Sequence, residues 1–255
     1  MKTIKDIMGS WYSPFEMMLN DLGFWYPILL RTGVPTPRTI IINADSKLSP
    51  RDLVLLLDGE RPEGIEETAE RILLAMDSIG YPCFFRGGQL SDKHGWKDTC
   101  FVAQRPSTDE IMGRMGGIVE QCAMGNIGAS PLLYENWVIR ELIPTTPYLT
   151  FFRGEMPIVK EVRIFVRDGV VVCSHPYWPK EAITTIDEET HAALCSLSDG
   201  DREQVHSMAN VISKYFRGYW SCDFLKSTAG EWYCTDMAQG EDSYHWADCP
   251  NKNTA

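Results

Sequence analysis

The stretch from residue 159 to residue 177, VKEVRIFVRDGVVVCSHPY, constrains the fold of this chain more than any other. Two runs rich in β-branched residues flank the dipeptide Asp168-Gly169. Such a dipeptide between two such runs indicates a tight hairpin, because both residues accept the positive φ angles of a two-residue turn. The stretch therefore predicts two antiparallel strands, and Glu161 and Arg163 share one face of the first.

Other hydrophobic patterns predict helices and further strands on both sides of this hairpin. The predicted helices run from Pro62 to Gly80, from a cap at Thr108 to Gly125, and from about Asp201 to Phe216. Further strands are predicted at 39–42, 82–86, 99–103 and 136–143, with a last hairpin at 220–238. Helices mixed with antiparallel hairpins predict an α+β fold.

The acidity of the chain limits its partners. The formal net charge is -11 at pH 7, whereas a protein that tracks a nucleic-acid backbone usually carries an excess of basic residues. This charge argues against a nucleic-acid partner, and any site for anions has to be local.

Cysteine spacing and hydropathy indicate where the protein resides. The eight cysteines form no CxxC pair and no metal-finger spacing, so reduced thiols are expected. The first residues lack the apolar segment of a signal peptide, and no apolar run is long enough to span a bilayer. We expect a cytoplasmic protein with no membrane partner.

The last predicted hairpin carries two acidic residues that are candidates for a metal site. With a four-residue connection at 227–230, Asp223 pairs with Cys234. Asp236 then pairs with Ser221 and shares a face with Asp223. Diagonal neighbours lie about 7 to 8 Å apart, close enough for both carboxylates to bind Mg²⁺. Two solvent-facing acids on an exposed sheet are the alternative, which the spacing leaves open.

Basic residues occur on or beside the predicted strands of this acidic chain, as polyphosphate binding requires. They are Arg86, Lys93, Lys97, Arg140, Lys160 and Arg163. The loop at 87–96 offers backbone N–H groups and Lys93 to a phosphate, although it lacks the P-loop pattern. A purely structural loop, and a surface ion pair between Glu161 and Arg163, are the alternatives.

Two histidines, His94 and His245, are candidates for acid–base groups. No Ser/His/Asp spacing accompanies them, and surface or packing roles are the alternative. The cysteines likewise form no nucleophile motif, so the residues alone identify no nucleophile.

Taken in order, these segments resemble the ATP-grasp superfamily. TGVPTPRTIII resembles its first strand, PCFFRGGQLSDKHGW its nucleotide-binding strand and phosphate-covering loop, and WVIRELI its hinge strand. EVRIFVRDG is similar to the E-x-R-x-x-V-x-x-G strand of the ribosomal-protein glutamate ligases. CDFL and GEWYCTDMAQG resemble the final metal hairpin. The resemblance runs from about residue 28 to about residue 243.

The resemblance implies an ATP-grasp fold, in which two α+β subdomains with antiparallel sheets enclose a nucleotide site. It divides the chain into a reduced N-terminal segment at 1–33 and two subdomains. The first, at 34–140, carries the phosphate-covering loop. The second, at 141–255, carries the metal hairpin.

The resemblance also implies ATP and Mg²⁺ as cofactors, with Lys93 and Arg163 in catalytic roles near the phosphates. The other residues implied to bind the nucleotide are Arg86, Lys97, Glu161 and, at the hinge, Glu141, Leu142 and Ile143. The residues implied to bind the metal are Asp223 and Asp236.

Two departures from the family pattern bear on this site. Arg86 stands where a lysine is usual, and DMA at 236–238 replaces E-x-N, so Gln239 and Glu241 are alternative metal ligands. The arginine and the ending DMAQGEDSYHW resemble a phage-associated branch, which is related to the eukaryotic cell-division-cycle translation-assembly factors. For a phage protein, the cytoplasm is that of the host.

The activity implied is that of an ATP-dependent carboxylate–amine ligase. Such an enzyme forms an acyl phosphate, releases ADP and joins an amine to a peptide, a protein or an amino acid. An ATP-binding assembly factor or chaperone without ligation is a second hypothesis. A binding module of the same fold class without a nucleotide is a third.

Overall fold

The computed structural model describes residues 19–43, 55–91, 93–125 and 136–252. The chain divides into two units. The first consists of Met1–Phe24 and Arg38–Leu142, and the second of Trp25–Pro37 and Ile143–Ala255. Helix α1 (Leu22–Thr32) contains residues of both. Within the described ranges, no helix combines the length and the apolar character that crossing a membrane requires.

Among its described residues, the first unit contains a four-stranded antiparallel sheet and two long helices. Its strands are β1 (Thr39–Asn43), β2 (Cys83–Gly87), β3 (Phe101–Val102) and β4 (Asn136–Glu141), in the spatial order β1-β4-β2-β3. Its helices are α2 (Ile65–Ile79) and α3 (Thr108–Gly125). The strands predicted in this part of the chain are confirmed, and β2 and β3 form the predicted hairpin.

One hydrophobic cluster joins these helices to the sheet. The apolar face predicted for α2 is buried, with Ile65, Ala69, Ile72, Leu73 and Met76 each at most 4% exposed. Burying a side chain as large as leucine or isoleucine stabilises the fold by about 1.5 to 3 kcal/mol. Gly80 ends α2 with φ at +93°, a conformation that suits glycine.

Helix α3 begins with a capping box one residue before the predicted cap. The backbone N–H of Glu110 donates to Ser107 Oγ at 3.2 Å, and the N–H of Ser107 donates to the Glu110 carboxylate at 2.6 Å. Thr108, the predicted cap, is instead the first helical residue. The sequence pattern S-x-x-E at 107–110 is the signal of such a box.

The second unit contains a four-stranded antiparallel sheet in the order β10-β9-β7-β8, and a separate strand pair, β5 and β6. The strands are β5 (Leu149–Phe151), β6 (Met156–Ile158), β7 (Glu161–Arg167), β8 (Val170–Pro176), β9 (Tyr219–Lys226) and β10 (Trp232–Gln239). The helices are α4 (Phe152–Glu155), α5 (Glu188–Cys195) and α6 (Asp199–Ser213).

The turn between β7 and β8 forms as predicted. Asp168 and Gly169 have φ angles of +46° and +94°, as a two-residue hairpin turn requires. The Asp168 carboxylate also accepts a hydrogen bond from the N–H of Gly218 at 2.8 Å. With both main sheets antiparallel and helices in both units, the predicted α+β class is confirmed.

The helices of the second unit differ from prediction, and the short α4 was not predicted at all. Helix α6 covers Asp199–Ser213 instead of about 201–216, and Ser198 caps it by accepting a hydrogen bond from the N–H of Asp201 at 3.1 Å. Helix α5 is absent from the sequence-based expectations. Only Leu194 of its residues is buried, so α5 lacks the apolar stripe from which a helix is predicted.

Asp201 joins the start of α6 to the last hairpin. Its carboxylate accepts hydrogen bonds from Lys226 Nζ at 2.6 and 2.7 Å, and from Trp232 Nε1 at 2.8 Å. Burial opposes its charge, but these bonds, together with one from Ser198, outweigh burial and lower the pKa of Asp201 to about 2. The ionised carboxylate therefore stabilises the folded second unit.

We expect this stabilisation to be complete above the ordinary Asp pKa of about 4, and to be lost as the pH falls through about 2. Asp201→Asn should lower the free energy of unfolding at neutral pH and flatten its pH dependence across that window. Denaturant unfolding at a series of pH values measures both. Asp199→Asn, at an exposed position in the same turn, should keep the pH dependence of the wild-type free energy of unfolding. The same pH dependence in Asp201→Asn would show that the Asp201 carboxylate does not stabilise the fold.

Gly88, in the loop after β2, lies against a buried carboxylate. Its N–H donates to the Asn136 carbonyl and its carbonyl accepts from the N–H of Leu22, both at 2.9 Å. The neighbouring Asp21 is 4% exposed and accepts hydrogen bonds from the Gly23 N–H and Asn136 Nδ2. A Cβ atom on Gly88 would overlap the Asp21 carboxylate.

Gly88→Ala should therefore destabilise the protein by about 1 to 3 kcal/mol. Gly113→Ala is the matched control, because a Cβ there meets open space within α3. The control should leave stability unchanged or raise it by up to about 1 kcal/mol. Denaturant unfolding of both variants checks the prediction, and equal stabilities would refute it.

Candidate functional site

One face of the β10-β9-β7-β8 sheet carries polar side chains across all four strands. Arg163 of β7 pairs with His175 of β8 and with Asp223 of β9, and Asp223 pairs with Asp236 of β10. Directly paired residues of antiparallel strands point to the same side of a sheet. We call Arg163, Asp223 and Asp236 the charged row; His175 continues it on β8.

Arg163 and Asp223 form a buried ion pair in the middle of the charged row. Arg163 Nε donates to Asp223 Oδ1 at 2.7 Å and a terminal nitrogen donates to Oδ2 at 2.9 Å. The side chains are 17% and 7% exposed. Burial opposes the guanidinium charge, but Asp223, with Tyr177 and Asp236 nearby, outweighs burial and raises the pKa of Arg163. Arg163 is therefore a permanent positive charge on this face.

A β-bulge at Thr235 places Asp236 on the same face. Cys234 pairs with Phe224, rather than with Asp223 as predicted, and is completely buried. Strict alternation would point Asp236 to the same buried side as Cys234. The register shift between them adds one residue, Thr235, and turns Asp236 to the side of Asp223.

The predicted pairing of this hairpin is therefore wrong. The connection between β9 and β10 has five residues, 227–231, instead of four, and Ser221 pairs with Ala238 instead of Asp236. The predicted loop is one residue too short and the predicted strand lacks the bulge, and these two errors cancel in deciding which face Asp236 occupies. Asp223 and Asp236 share a face, as predicted, but they are directly opposed instead of diagonal.

The alternative metal ligands occupy different positions. Gln239 ends β10 three residues after Asp236, so alternation turns its side chain to the opposite side of the sheet. Glu241 is exposed, in a short 3-10 turn at Gly240–Asp242. Of the acidic positions considered, Asp223 and Asp236 are the two that the described strands bring together.

The start of β7 contributes one buried acid and one helix-capping lysine. Glu161, two positions from Arg163 on the same strand, is 6% exposed. Lys160 Nζ donates to the carbonyls of Ala193 and Ser196, at 3.0 and 2.7 Å. Because these carbonyls lie at the C-terminal end of α5, Lys160 stabilises that helix terminus, a role that its place among the basic residues did not predict.

In the first unit, Arg86 anchors the loop predicted to cover phosphate. The side chain is 3% exposed and donates to the carbonyls of Gly87 and Gln89, at 3.0 and 3.2 Å. Lys93 begins a 3-10 turn at 93–95 and is half-buried, whereas Lys97 is exposed. Contacts of these three residues with a nucleotide stay a prediction.

The predicted hinge begins at the last residue of β4, Glu141. Its carboxylate accepts from the N–H and Nε of Arg38, at 2.9 and 2.8 Å, and its own N–H donates to the Arg38 carbonyl at 2.9 Å. Since that N–H is bonded within the sheet, the predicted adenine contact depends chiefly on Leu142 and Ile143, which follow the strand.

The two candidate histidines differ in what the structure describes. The His94 side chain lies outside the described part of the chain. His245 follows β10, and its Nε2 lies 2.6 Å from the Tyr219 hydroxyl. Acid–base roles for both stay predictions.

Comparison with protein-family models finds no match, and neither does comparison with curated proteins. Among solved structures, the chain is similar to Cdc123 from Schizosaccharomyces pombe, with a TM-score of 0.60 and 12% identity over 90% of this chain and 87% of that one. The C-terminally truncated Cdc123 matches with the same TM-score and coverage at 10% identity. The protein has an ATP-grasp-related fold.

This finding confirms the fold family that the motifs implied, whereas the predicted subdomain bounds and the enclosed nucleotide site stay predictions. D-alanine–D-alanine ligase from Bacillus anthracis complexed with ATP is also similar, with a TM-score of 0.48 and 14% identity over 87% of this chain and 55% of the ligase. At these identities the similarities concern the fold and not the activity. The phage-associated branch stays a prediction.

In this ATP-grasp-related fold, Asp223→Asn should destabilise the protein by about 3 to 5 kcal/mol, because Arg163 would keep its charge in a buried place without a counter-charge. Asp109→Asn breaks an exposed ion pair between Asp109 and Arg61, whose two side chains are 71% and 55% exposed, respectively. This change should lower the free energy of unfolding by less than about 1 kcal/mol. Denaturant unfolding compares the two. Similar losses of unfolding free energy in both variants would show that the buried pair stabilises the protein no more than the exposed pair does.

Proposed function

We propose that this protein is an ATP-dependent carboxylate–amine ligase whose phosphate and Mg²⁺ contacts include the charged row. The observation that carries the proposal is the direct cross-strand pairing of Arg163, Asp223 and Asp236 on one face. Phosphoryl transfer needs charge neutralisation and positioning more than a protein nucleophile. A fixed guanidinium beside two carboxylates supplies groups for both.

The donor set fits a hard divalent cation. Asp223 and Asp236 place two carboxylates beside Arg163, and Glu161 lies two positions from Arg163 on the same face of β7. Mg²⁺ prefers carboxylate oxygens and phosphates as ligands. Both Asp223 oxygens accept hydrogen bonds from Arg163, but each oxygen has a second lone pair with which it can coordinate a metal. Asp223 and Asp236 would hold Mg²⁺, which neutralises charge on the phosphates.

The reaction proposed has two steps. An acceptor carboxylate attacks the γ-phosphorus of ATP, the bond to the bridging oxygen breaks, and ADP leaves an acyl phosphate behind. An amine then attacks the acyl carbon, expels inorganic phosphate and loses a proton as the amide forms. Arg163 and Lys93 would stabilise the charge that develops on the transferred group, and Arg86 and Lys97 would bind the other phosphates.

The acceptor class and the location belong to the same proposal. We propose a peptide, a protein or an amino acid as the acceptor, since the ribosomal-protein glutamate ligases that EVRIFVRDG resembles act on such a substrate. We also propose a cytoplasmic location, because ATP and Mg²⁺ are abundant there. If the chain is phage-encoded, this is the cytoplasm of the host.

A second candidate function is an ATP-binding assembly factor that ligates nothing. The similarity to Cdc123 over 87% of that chain favours it, because the sequence resembles the cell-division-cycle branch as well as the ligases. The same site would then hold ATP while the protein binds a protein partner. Both candidate functions require ATP binding, but only the ligase converts ATP to ADP.

Calorimetric titration of Mg·ATP tests the shared part first. Wild-type protein should bind, and Asp236→Asn should lose Mg²⁺-dependent binding, because the variant removes one anionic metal ligand. Asp199→Asn is the control, with the same chemical change at an exposed position, and should bind as the wild type does. Failure of folded wild-type protein to bind would refute both functions. Unchanged binding by Asp236→Asn would exclude the charged row as the metal site.

Turnover then separates the two candidates. A ligase should convert many equivalents of ATP to ADP only when a carboxylate and an amine are both supplied, and the product should have the summed mass of the two substrates minus one water. An assembly factor should bind Mg·ATP and release no ADP with any such pair. Peptides ending in glutamate, with free amino acids as amines, are suitable first substrates.

A further inference from the structure

Four metal-binding side chains converge near β8 in the second unit. Cys173 and His175 belong to β8, and His245 and Cys249 to the segment after β10. Each offers one ligand atom, and these four atoms all lie within 4.8 Å of one another. They are two sulfurs and two imidazole nitrogens, a set different from the carboxylates of the charged row.

The fold holds the two halves of this cluster together by other contacts. Cys173 and His175 are two positions apart on one strand, so they face the same side. Beside them, Trp246 Nε1 donates to the Pro176 carbonyl at 2.9 Å, and Asn251 Nδ2 donates to the Val172 carbonyl at 3.3 Å. The C-terminal segment therefore lies along β8 independently of any metal.

The ring of His245 is oriented as a metal ligand would be. Its Nδ1 lies 3.9 Å from Cys173 Sγ, and its Nε2 lies 2.6 Å from the Tyr219 hydroxyl. The ring stacks on Phe165 with centroids 3.6 Å apart. Metal-binding histidines commonly use one nitrogen for the metal while the other makes a hydrogen bond that fixes the ring. Tyr219 and Phe165 supply that support here.

His175 adds an independent sign that a ligand is needed. Its Nε2 is buried and has no hydrogen-bond partner among the described residues. Leaving a buried polar nitrogen unpaired is unfavourable. Burial also lowers the pKa of both His175 and His245, so both rings are neutral near pH 7, the form that binds metal.

We propose that Cys173, His175, His245 and Cys249 bind one Zn²⁺ ion in a closed tetrahedral site that fastens the C-terminal segment to β8. Two thiolates and two imidazoles are a typical structural zinc set. With Zn–N near 2.0 Å and Zn–S near 2.3 Å, neighbouring ligand atoms of a tetrahedron lie about 3.3 to 3.8 Å apart. The cluster needs to contract by only about 1 Å to reach that geometry.

Zinc binding would displace the proton of each thiol. Burial, together with a hydrogen bond to Cys249, raises the pKa of Cys173 to about 12. Cys173 is therefore a thiol before the metal arrives, and one proton leaves as each Zn–S bond forms. Because all four positions are filled by protein, the role is structural; a catalytic zinc keeps one position open.

Metal content and cobalt substitution test the proposal. Protein without a histidine tag, produced with zinc and kept reduced, should contain one zinc per chain by elemental analysis. After removal of zinc by a chelator, Co²⁺ should give thiolate-to-cobalt charge-transfer bands and the d–d bands of a tetrahedral site. Chelation should lower the melting temperature, and zinc should restore it. A reduced, folded wild-type protein that takes up neither metal would overturn the proposal.

Variants assign the ligands. Cys249→Ser should lose zinc and the cobalt charge-transfer bands. Cys195→Ser is the matched control, because Cys195 lies 3.4 Å from His191 Nε2 but outside the cluster; it should keep one zinc. Tyr219→Phe keeps all four ligands and should weaken zinc affinity about tenfold, which covers the case in which Cys249→Ser fails to fold. Equal zinc in Cys249→Ser and Cys195→Ser would refute the assignment. These readouts are independent of nucleotide binding, so the zinc site and the proposed function can fail separately.

Discussion

The buried pair between Arg163 and Asp223 is the constraint around which the second unit is arranged. A guanidinium that is 17% exposed is tolerated only when a counter-charge lies at hydrogen-bonding distance. The pair joins β7 to β9 at the centre of the sheet, so the register of these two strands and the pair depend on each other. A slip of one residue in either strand would turn its charge to the opposite side of the sheet from its partner and break the pair. Removing either partner alone would leave the other charge buried without a counter-charge, so the sheet depends on both residues together.

The bulge at Thr235 extends this constraint to a third strand. Without it, Asp236 would point to the buried side that holds Cys234, where an unpaired carboxylate is costly. With it, the carboxylate faces Asp223 and adds to the field at Arg163, whose pKa it helps to raise. One inserted residue therefore changes an acid that would disrupt the core into part of a charged site. Bulges next to functional sites commonly re-aim one side chain in this way.

What the sequence predicted well are features encoded within a few residues. The Asp168-Gly169 turn and the apolar stripe of α2 are of this kind, because the signal and the structure involve the same short segment. The bulge is different: nothing in WYCTDMAQ distinguishes a regular strand from one with an extra residue. The register follows from the length of the 227–231 connection and from pairing with β9. Helix α5 was not predicted for another reason: it lies at the surface, so its sequence lacks the apolar pattern of a buried helix face.

The cysteine–histidine cluster shows the same limit over a longer distance. Metal sites are recognised in sequence when two ligands lie a few residues apart in CxxC or HxxxH form. Here the pairs Cys173/His175 and His245/Cys249 are mixed in type, and about seventy residues separate them. Neither pair alone identifies a site. Only the position of the C-terminal segment along β8, set by the bonds of Trp246 and Asn251, brings them together.

The cluster and the charged row adjoin through His175, which pairs with Arg163 across β7 and β8. A metal bound to His175 would hold this ring neutral and fixed, because a coordinated imidazole cannot take up a proton at the bound nitrogen. The zinc site proposed for the cluster would therefore fix the side chain that continues the charged row on β8. The two proposals concern neighbouring groups of one sheet, although each has its own test.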